Sequence, residues 1–308
     1  MISIIIPTFR QTAKLKKCLS SIDKQSFRPW EVILVNDNNK HDEYYEYVNK
    51  LVTQINDIRI TLINNNSNLN AGYCRNIGLR EAKYDNVFFL DDDDELYSPN
   101  LLETFSISLN RNDQPHCMLY CKAVLFDGGR PYRSVFPKIP PADLELLIIE
   151  REINFMTGTV LFNKNFVLKF GGFNENLTRF QDIQFMLSFF GQGGFAVPVY
   201  GVYTRINFDR RVLRLTYQEY KQARSYFFNN IVKPNPCFSQ HKKDYLRKFF
   251  SFDLFVYGIR TLGIKHIRNL KFIHLRFLLT RYFLHRVFYI MKRRITKIFA
   301  SGWRKHES

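Results

Sequence analysis

The sequence predicts an α/β fold, a mostly parallel sheet with flanking helices, followed by a helical and basic C-terminal region. Three features point to it: short β-branched apolar runs that alternate with helical stretches through the first hundred residues, a polar cluster at the end of each run, and a concentration of Lys and Arg after Gln240. The alternation is the signature of βαβ units on a parallel sheet.

Strands are expected over residues 2–6, 31–35, 58–63 and 87–90, and helices over 13–23, 43–55 and 71–83. The strand runs are continuous rather than alternating, as in strands covered on both faces. Ile2-Ser3-Ile4-Ile5-Ile6 has no basic region ahead of it and no small-residue cleavage site after it, so it reads as a buried strand and not as a signal peptide. Thr8 and Arg10, Asn36-Asp37-Asn38-Asn39, Asn64-Asn65-Asn66 and Asp91-Asp92-Asp93-Asp94 follow the four strands in turn. Open α/β sheets bind ligands at that edge, so the four clusters are expected in one crevice. Beyond them come a strand over 118–126, a Gly/Pro-rich loop over 127–141, an apolar stretch at 159–162, a glycine turn at Gly171-Gly172, a helix over 182–190 and strand material over 197–203. Past Thr216 the pattern is helical and basic to the end, which divides the chain into residues 1–215 and 216–308.

With 308 residues the chain can bury a full core. Hydrophobic residues at 45% and charged residues at 24% are globular values, which argues against disorder. The net charge of +17 implies a negative partner: a phosphate-rich ligand, nucleic acid or an anionic membrane face. From Gln240 onward 17 Lys and Arg face three Asp and Glu, so +14 of that charge lies in the tail. The five cysteines, Cys18, Cys74, Cys117, Cys121 and Cys237, lack the paired spacing of a disulfide framework or zinc site and fit a reducing, cytoplasmic setting.

Asp91-Asp92-Asp93-Asp94-Glu95, directly after Val87-Phe88-Phe89-Leu90, is the most informative feature. Adjacent carboxylates repel one another unless water or a cation relieves them. In an extended segment alternate residues face the same way, so Asp91 and Asp93 are expected to address one ligand. Hard oxygen donors suit Mg²⁺ or Mn²⁺, which share their coordination with phosphate oxygens. An acidic surface turn or a calcium site without chemistry is the plainer alternative; the position at a parallel strand end, beside three other polar clusters, favours the ligand site.

Here the sequence resembles the family 2 glycosyltransferases of the GT-A fold. The resemblance starts at Ser3-Ile4-Ile5-Ile6-Pro7-Thr8-Phe9 and runs through Ser21-Ile22 and Gln25-Ser26 to Glu31-Val32-Ile33-Leu34-Val35-Asn36-Asp37. It resumes at Asn70-Ala71-Gly72-Tyr73-Cys74-Arg75-Asn76-Ile77-Gly78-Leu79 and closes on Phe89-Leu90-Asp91-Asp92-Asp93-Asp94 with Pro99. Each piece is weak by itself; their order and spacing carry the signal. The resemblance implies a Rossmann-like GT-A domain over 1–215 and an inverting, metal-assisted transfer from a nucleotide-sugar, with a UDP-sugar expected in view of the aspartate after the second strand, to a saccharide or lipid-linked acceptor in surface polysaccharide or glycan biosynthesis. It implies that Pro7, Thr8, Asp37, Gly72, Arg75, Asp91, Asp92 and Arg205 form the donor side, that Asp93 holds Mn²⁺ or Mg²⁺, and that Asp91 lies near the ribose. Asn38-Asn39 stands where the family commonly shows Gly-Ser. Arg75 has two readings, neutralising the donor or making a surface ion pair.

Inverting transfer needs a base for the acceptor hydroxyl. The family commonly supplies it from a Glu-Asp pair at a helix start after a glycine-rich segment; the pair aligns with Gln181-Asp182, which implies Asp182 as the base and Gln181 in place of the usual Glu. The alternative for Asp182 is a helix N-cap. Thr157 and Gly158 are expected on the acceptor side with Gln181. Val202-Tyr203-Thr204-Arg205 resembles the family's Tyr-Arg strand end, which brings Arg205 to the diphosphate, while Asn207 stands where the family often has His. No Gln-x-x-Arg-Trp is present, so single-sugar addition is expected.

In the tail Arg276, Arg281 and Arg286 interrupt the run 272–291, and no uncharged apolar run approaches the roughly 18 residues of a membrane span. Peripheral contact with an anionic membrane on its cytoplasmic face and ordinary helical packing both stay open; nucleic acid is not expected, since no nucleic-acid module accompanies the charge. Two rival functions also stay open: a catalytically silent nucleotide-sugar or glycan-binding module, and a basic membrane- or nucleic-acid-binding protein.

Overall fold

The apolar runs at the start of the chain form the centre of an eight-stranded sheet. A computed structural model describes residues 1–65, 67–112, 114–139, 143–207 and 215–262. In chain order the elements are β1 (Ile2–Thr8), α1 (Ala13–Asp23), β2 (Trp30–Asn36), α2 (Glu43–Ile55), β3 (Ile60–Asn64), α3 (Ala71–Glu81), β4 (Asn86–Phe89), α4 (Leu101–Arg111), β5 (Cys117–Asp127), β6 (Arg130–Val135), α5 (Leu144–Ile149), β7 (Val160–Asn163), α6 (Lys164–Lys169), α7 (Gln181–Gly191) and β8 (Phe195–Asn207).

The sheet runs β3-β2-β1-β4-β7-β5-β6, with β8 also paired to β5. β1 through β4 are parallel, with Thr8 opposite Asn36 and Ile5 opposite Phe89. β7 is antiparallel to β4 and to β5, whereas β8 runs parallel to β5. After β1 the chain steps to β2 and β3 on one side and then crosses to β4 on the other. That reversal puts a crevice between the C-terminal ends of β1 and β4, the switch point where open α/β sheets take ligands.

Both faces of β1 are buried, as its unbroken apolar run requires. Ile2, Ile4 and Ile6 pack with Leu15, Cys18, Leu19 and Ile22 of α1. On the other side α3 approaches so closely that a Cβ on Gly78 would lie 2.3 Å from Ile5 Cγ2. Phe89 of β4 meets Phe173 at 5.1 Å and Phe185 at 6.0 Å, and Phe162 meets Phe185 and Phe189 at 5.0 and 5.4 Å. Each such pair contributes about 0.5–1.5 kcal/mol beyond the area it buries, and together they tie α7 to the sheet beneath the crevice.

Three expectations need correction. β3 is only partly covered, and Ile58, expected in that strand, is 99% exposed ahead of it. The stretch expected as a loop over 127–141 contains β6, turned back on β5 by Gly128 and Gly129, both at positive φ. α4, α5 and α6 are elements the pattern reading did not anticipate.

The chain divides into two compact units, Met1–Val212 and Leu213–Ser308. In the second, α8 (Tyr217–Phe227) starts on a capping box between Thr216 and Glu219 and packs on α9 (Gln240–Leu262). Buried Arg224 pairs with Asp253, and the Tyr220 and Tyr257 rings stack at 3.9 Å. Among the described residues no helix is long and apolar enough to cross a membrane. The stretch 263–308, which includes the run 272–291 and 12 of the tail's 17 Lys and Arg, lies outside the described residues.

Replacing Gly78 with alanine sets a gain in helix propensity of about 1 kcal/mol against an overpacking cost of about 1–3 kcal/mol. The β-branched, fully buried Ile5 cannot swing aside, so the clash decides the sign. Gly78→Ala is expected to lower stability, read as a lower midpoint in denaturant unfolding of the full chain.

Candidate active site

The loop after β4 begins under the control of β1: the Leu90 N–H donates to Ile5 O at 3.0 Å. The chain then turns, closed by Asp94 N–H to Asp91 O at 3.0 Å. It is not the extended segment expected from sequence, so its carboxylates fan out to different partners. Asp91 pairs with Arg75 of α3. Asp92 accepts from the Phe9 N–H at 3.1 Å, just past β1. Asp93 meets Lys14 of α1 at 3.3 Å, and Asp94 accepts from the Asn207 N–H at 2.9 Å at the end of β8. Four elements therefore grip one loop through its own acids.

This division leaves Asp92 and Asp94 without a cation of their own among the described residues. Burial pushes the Asp92 carboxyl up to about 7; the Thr8 hydroxyl and Phe9 N–H pull the other way, and the charges of Asp93 and Asp91 add to the rise. Burial likewise holds Asp94 well above the carboxylate range, reinforced by Asp91 and Asp93 and opposed by the Asn207 N–H. Cys18 beneath the loop is raised by burial and by all four aspartates.

The end of β8 closes the loop from the far side. Glu95 and Arg205 exchange backbone hydrogen bonds at 3.0 and 2.8 Å. The Arg205 guanidinium pairs with Glu95 at 3.3 Å, donates to Asn207 Oδ1 at 3.1 Å and lies 4.2 Å from the Phe126 ring centre. It is thus already engaged beside the loop. Asn207 Nδ2 donates to Asp93 O at 2.6 Å, so the residue standing in place of a histidine is a brace between strand and loop. Gly158, in the 3-10 turn Thr157–Thr159, faces Asp94: a Cβ there would sit 3.4 Å from Asp94 Oδ2.

A second knot forms around Asn70. The buried Asp37 carboxylate accepts from the Asn65 side chain at 3.0 Å and from the Leu69 and Asn70 N–H groups at 2.9 and 3.0 Å. It therefore fastens the turn that enters α3. Asn70 caps α3 through Gly72 and Tyr73, and its Oδ1 also accepts from Gln181 Nε2 at 2.9 Å. Gly72 gives the room, since a Cβ on it would come within 2.7 Å of Gln181 Nε2. One turn later Asn76 donates to Phe173 O and Glu175 Oε1, both at 2.8 Å, and accepts from the Phe173 N–H at 2.9 Å. Gly172 packs against that side chain in a left-handed conformation, φ 70°.

The starts of α3 and α7 are joined in this way, and Asp182 stands beside Gln181 in the first turn of α7. The N-cap position belongs to Phe180, in a left-handed conformation, so the capping alternative for Asp182 does not hold. Arg75 is corrected too: its side chain is 9% exposed and pairs with Asp91 across the crevice, which is not a surface ion pair. Pro7 is buried inside β1 opposite Val35 and touches the crevice only through the placement of Thr8. Pattern reading gave no role to Lys14, Asn70 or Asn76. Asn70, at the foot of a helix, carried an N-cap signal; Lys14 and Asn76 gave none, because their partners are distant in sequence.

The chain is similar to known proteins in sequence and in fold. Residues 3–118 match the family described as Glycosyl transferase family 2. An uncharacterized glycosyltransferase of Haemophilus influenzae is 28% identical over 198 residues, 63% of this chain and 64% of that protein. The GalNAc(5)-diNAcBac-PP-undecaprenol beta-1,3-glucosyltransferase of Campylobacter jejuni is 40% identical over 98 residues, covering 32% of this chain and 31% of its own. The chain thus spans less than two thirds of either relative. The crystal structure of S. aureus TarS 1-349 in complex with UDP-GlcNAc matches with a TM-score of 0.61 at 18% identity, over 84% of this chain and 74% of that one. The fold is GT-A-like.

Asn207→Asp removes the amide donor to Asp93 O and sets a further carboxylate against the loop. A lost, partly buried hydrogen bond of this kind costs about 1–3 kcal/mol. The variant is expected to unfold at lower denaturant concentration with an unchanged slope; equal stability would show that the brace contributes nothing.

Proposed function

We propose that this chain transfers a sugar from a UDP-sugar to a saccharide or lipid-linked acceptor with inversion, in the building of a surface polysaccharide or glycan. The observation that carries the proposal is the loop 91–95, a run of carboxylates fixed at the switch point of the sheet, with Asp92 and Asp94 buried against backbone N–H groups. Its clustered hard oxygen donors fit a divalent cation. Among the described residues no three His, Cys, Asp or Glu side chains form a metal cluster, so the proposed Mg²⁺ or Mn²⁺ site would need phosphate oxygens to complete it. Asp93 would hold the ion, which when bound steadies the charge of the departing diphosphate.

The remaining roles fall to residues around the crevice. Thr8, Asp91 and Asp92 would line the donor. Asp37 and Gly72 would act on it by setting the turn into α3 and the seat of Gln181. Arg75 would orient Asp91, and Arg205 would fix the loop and add positive charge beside the diphosphate. Thr157, Gly158 and Gln181 would border the acceptor. Asp182, half-buried in the first turn of α7, would take the proton from the acceptor hydroxyl as it attacks the anomeric carbon. The relatives named for glycosyl transfer and the neighbour solved with UDP-GlcNAc support this reading.

Asp182→Asn tests it. Loss of a general base typically slows turnover by about 10²–10⁴-fold, so the variant is expected to bind UDP as the parent does while sugar transfer, followed by UDP release from a panel of UDP-sugars with oligosaccharide acceptors, collapses. Retained turnover would remove Asp182 from the chemistry. UDP binding without turnover in the parent chain, over that whole panel, would favour a silent nucleotide-sugar-binding module, the reading that the replacement of Glu by Gln181 supports.

A further inference from the structure

Along α1, on the side of the molecule that the acidic loop shares with β8, runs a groove of about 600 Å³. One wall is α1 and its C-terminal cap, which present Lys16, Lys17 and Lys24; the other is the segment 95–99, which presents Tyr97. The three lysines are exposed, and none makes an ion pair among the described residues. The single carboxylate of the lining, Glu95, is committed to Arg205 at 3.3 Å. The groove therefore offers unanswered positive charge. Lys17 and Lys24 are seven residues apart, two turns along one helix face, so their stems rise about 10 Å from one to the other.

The floor is rigid. Gln25, 1% exposed, donates to Ser21 O, Leu96 O and Ser98 O and accepts from the Leu102 N–H, so its amide pins the loop to α1. The Ser21 hydroxyl donates to Cys18 O and accepts from the Leu96 N–H. Tyr97 is 48% exposed and held flat by the Tyr203 ring at 5.0 Å and 23° and the Phe126 ring at 6.2 Å and 30°. A fixed, half-exposed aromatic ring beside spaced cations matches a ligand that alternates flat apolar sugar faces with negative charges. A simple counter-ion would need the lysines alone, and a lipid surface would not need a concave floor. Glu95 belongs to both the groove and the loop 91–95, so a chain lying here lies next to the proposed reaction centre.

We infer that this groove holds an anionic glycan, the part of the acceptor chain remote from its reacting end, with phosphate or carboxylate groups on Lys16, Lys17 and Lys24 and a sugar ring on Tyr97. The inference rests on the glycosyltransferase reading for the word acceptor, and on the groove alone for the ligand class.

The test is binding to the full chain, with hexagalacturonate as the carboxylate probe, mannopentaose phosphate as the phosphate probe, maltohexaose as the neutral control, and polyphosphate and phosphatidylglycerol vesicles as sugar-free anions. One anionic sugar probe is expected to bind and the neutral sugar not to. Three exposed pairs together amount to about a tenfold effect, so Lys16→Gln/Lys17→Gln/Lys24→Gln is expected to weaken that probe by about tenfold, and Tyr97→Ala to weaken it while leaving polyphosphate unaffected. UDP affinity should be unchanged in both variants, which also shows that they fold. If neither anionic sugar binds, or if the lysine variant binds as the parent does, the inference falls. It falls equally if vesicles or polyphosphate bind through the same lysines more tightly than the sugars do. Failure of UDP binding with glycan binding intact would sink the glycosyltransferase reading and leave the groove standing.

Discussion

Four carboxylates in a row at the end of a buried strand repel one another, and the architecture around them is arranged to hold them in spite of it. β1 supplies a backbone N–H to Asp92, α1 a lysine to Asp93, α3 an arginine to Asp91 and β8 a backbone N–H to Asp94. Each partner comes from a different element, so the loop is both the point of highest electrostatic tension and the point at which the sheet's two halves are tied together. Backbone donors soften the tension at Asp92 and Asp94 without removing it, which is why burial still lifts both carboxyls. A fold tolerates such a loop where a cationic ligand completes it.

The crevice is held open by amide side chains more than by salt bridges. Asn70, Asn76, Gln181 and Asn207 each connect segments distant in sequence; Asn70, Asn76 and Asn207 use donor and acceptor atoms that a carboxylate or an ammonium could not offer together, and Gln181 uses its amide donor. This explains two departures from the family pattern in structural terms. Gln181 needs an N–H to reach Asn70, which a glutamate lacks, and Asn207 needs one to reach the Asp93 carbonyl. Both substitutions keep further charge out of a site already crowded with it.

The sequence made the parallel half of the sheet legible because its physics is local. Unbroken Ile and Val runs give β1, β2 and β4, and the helices over 13–23 and 43–55 begin and end where the pattern puts them. The Asp run announced itself by type and place. Less legible were features decided by distant contacts. The turn at 91–94 is set by its partners on four elements, so the alternation of an extended strand misled. β6 is short and polar on its exposed side, and it exists because β5 offers an edge to pair with. The commitment of Arg205 to Glu95 and Phe126 likewise follows from the pairing of β8 with β5, which no local pattern encodes.

The account turns on the claim that the loop 91–95 is completed by a divalent cation and a diphosphate together. Calorimetric titration of UDP into the full chain, with and without Mn²⁺, tests this most directly. The account predicts binding that depends on the ion and is lost in Asp93→Ala. Binding that is indifferent to Mn²⁺ and survives in that variant would contradict it.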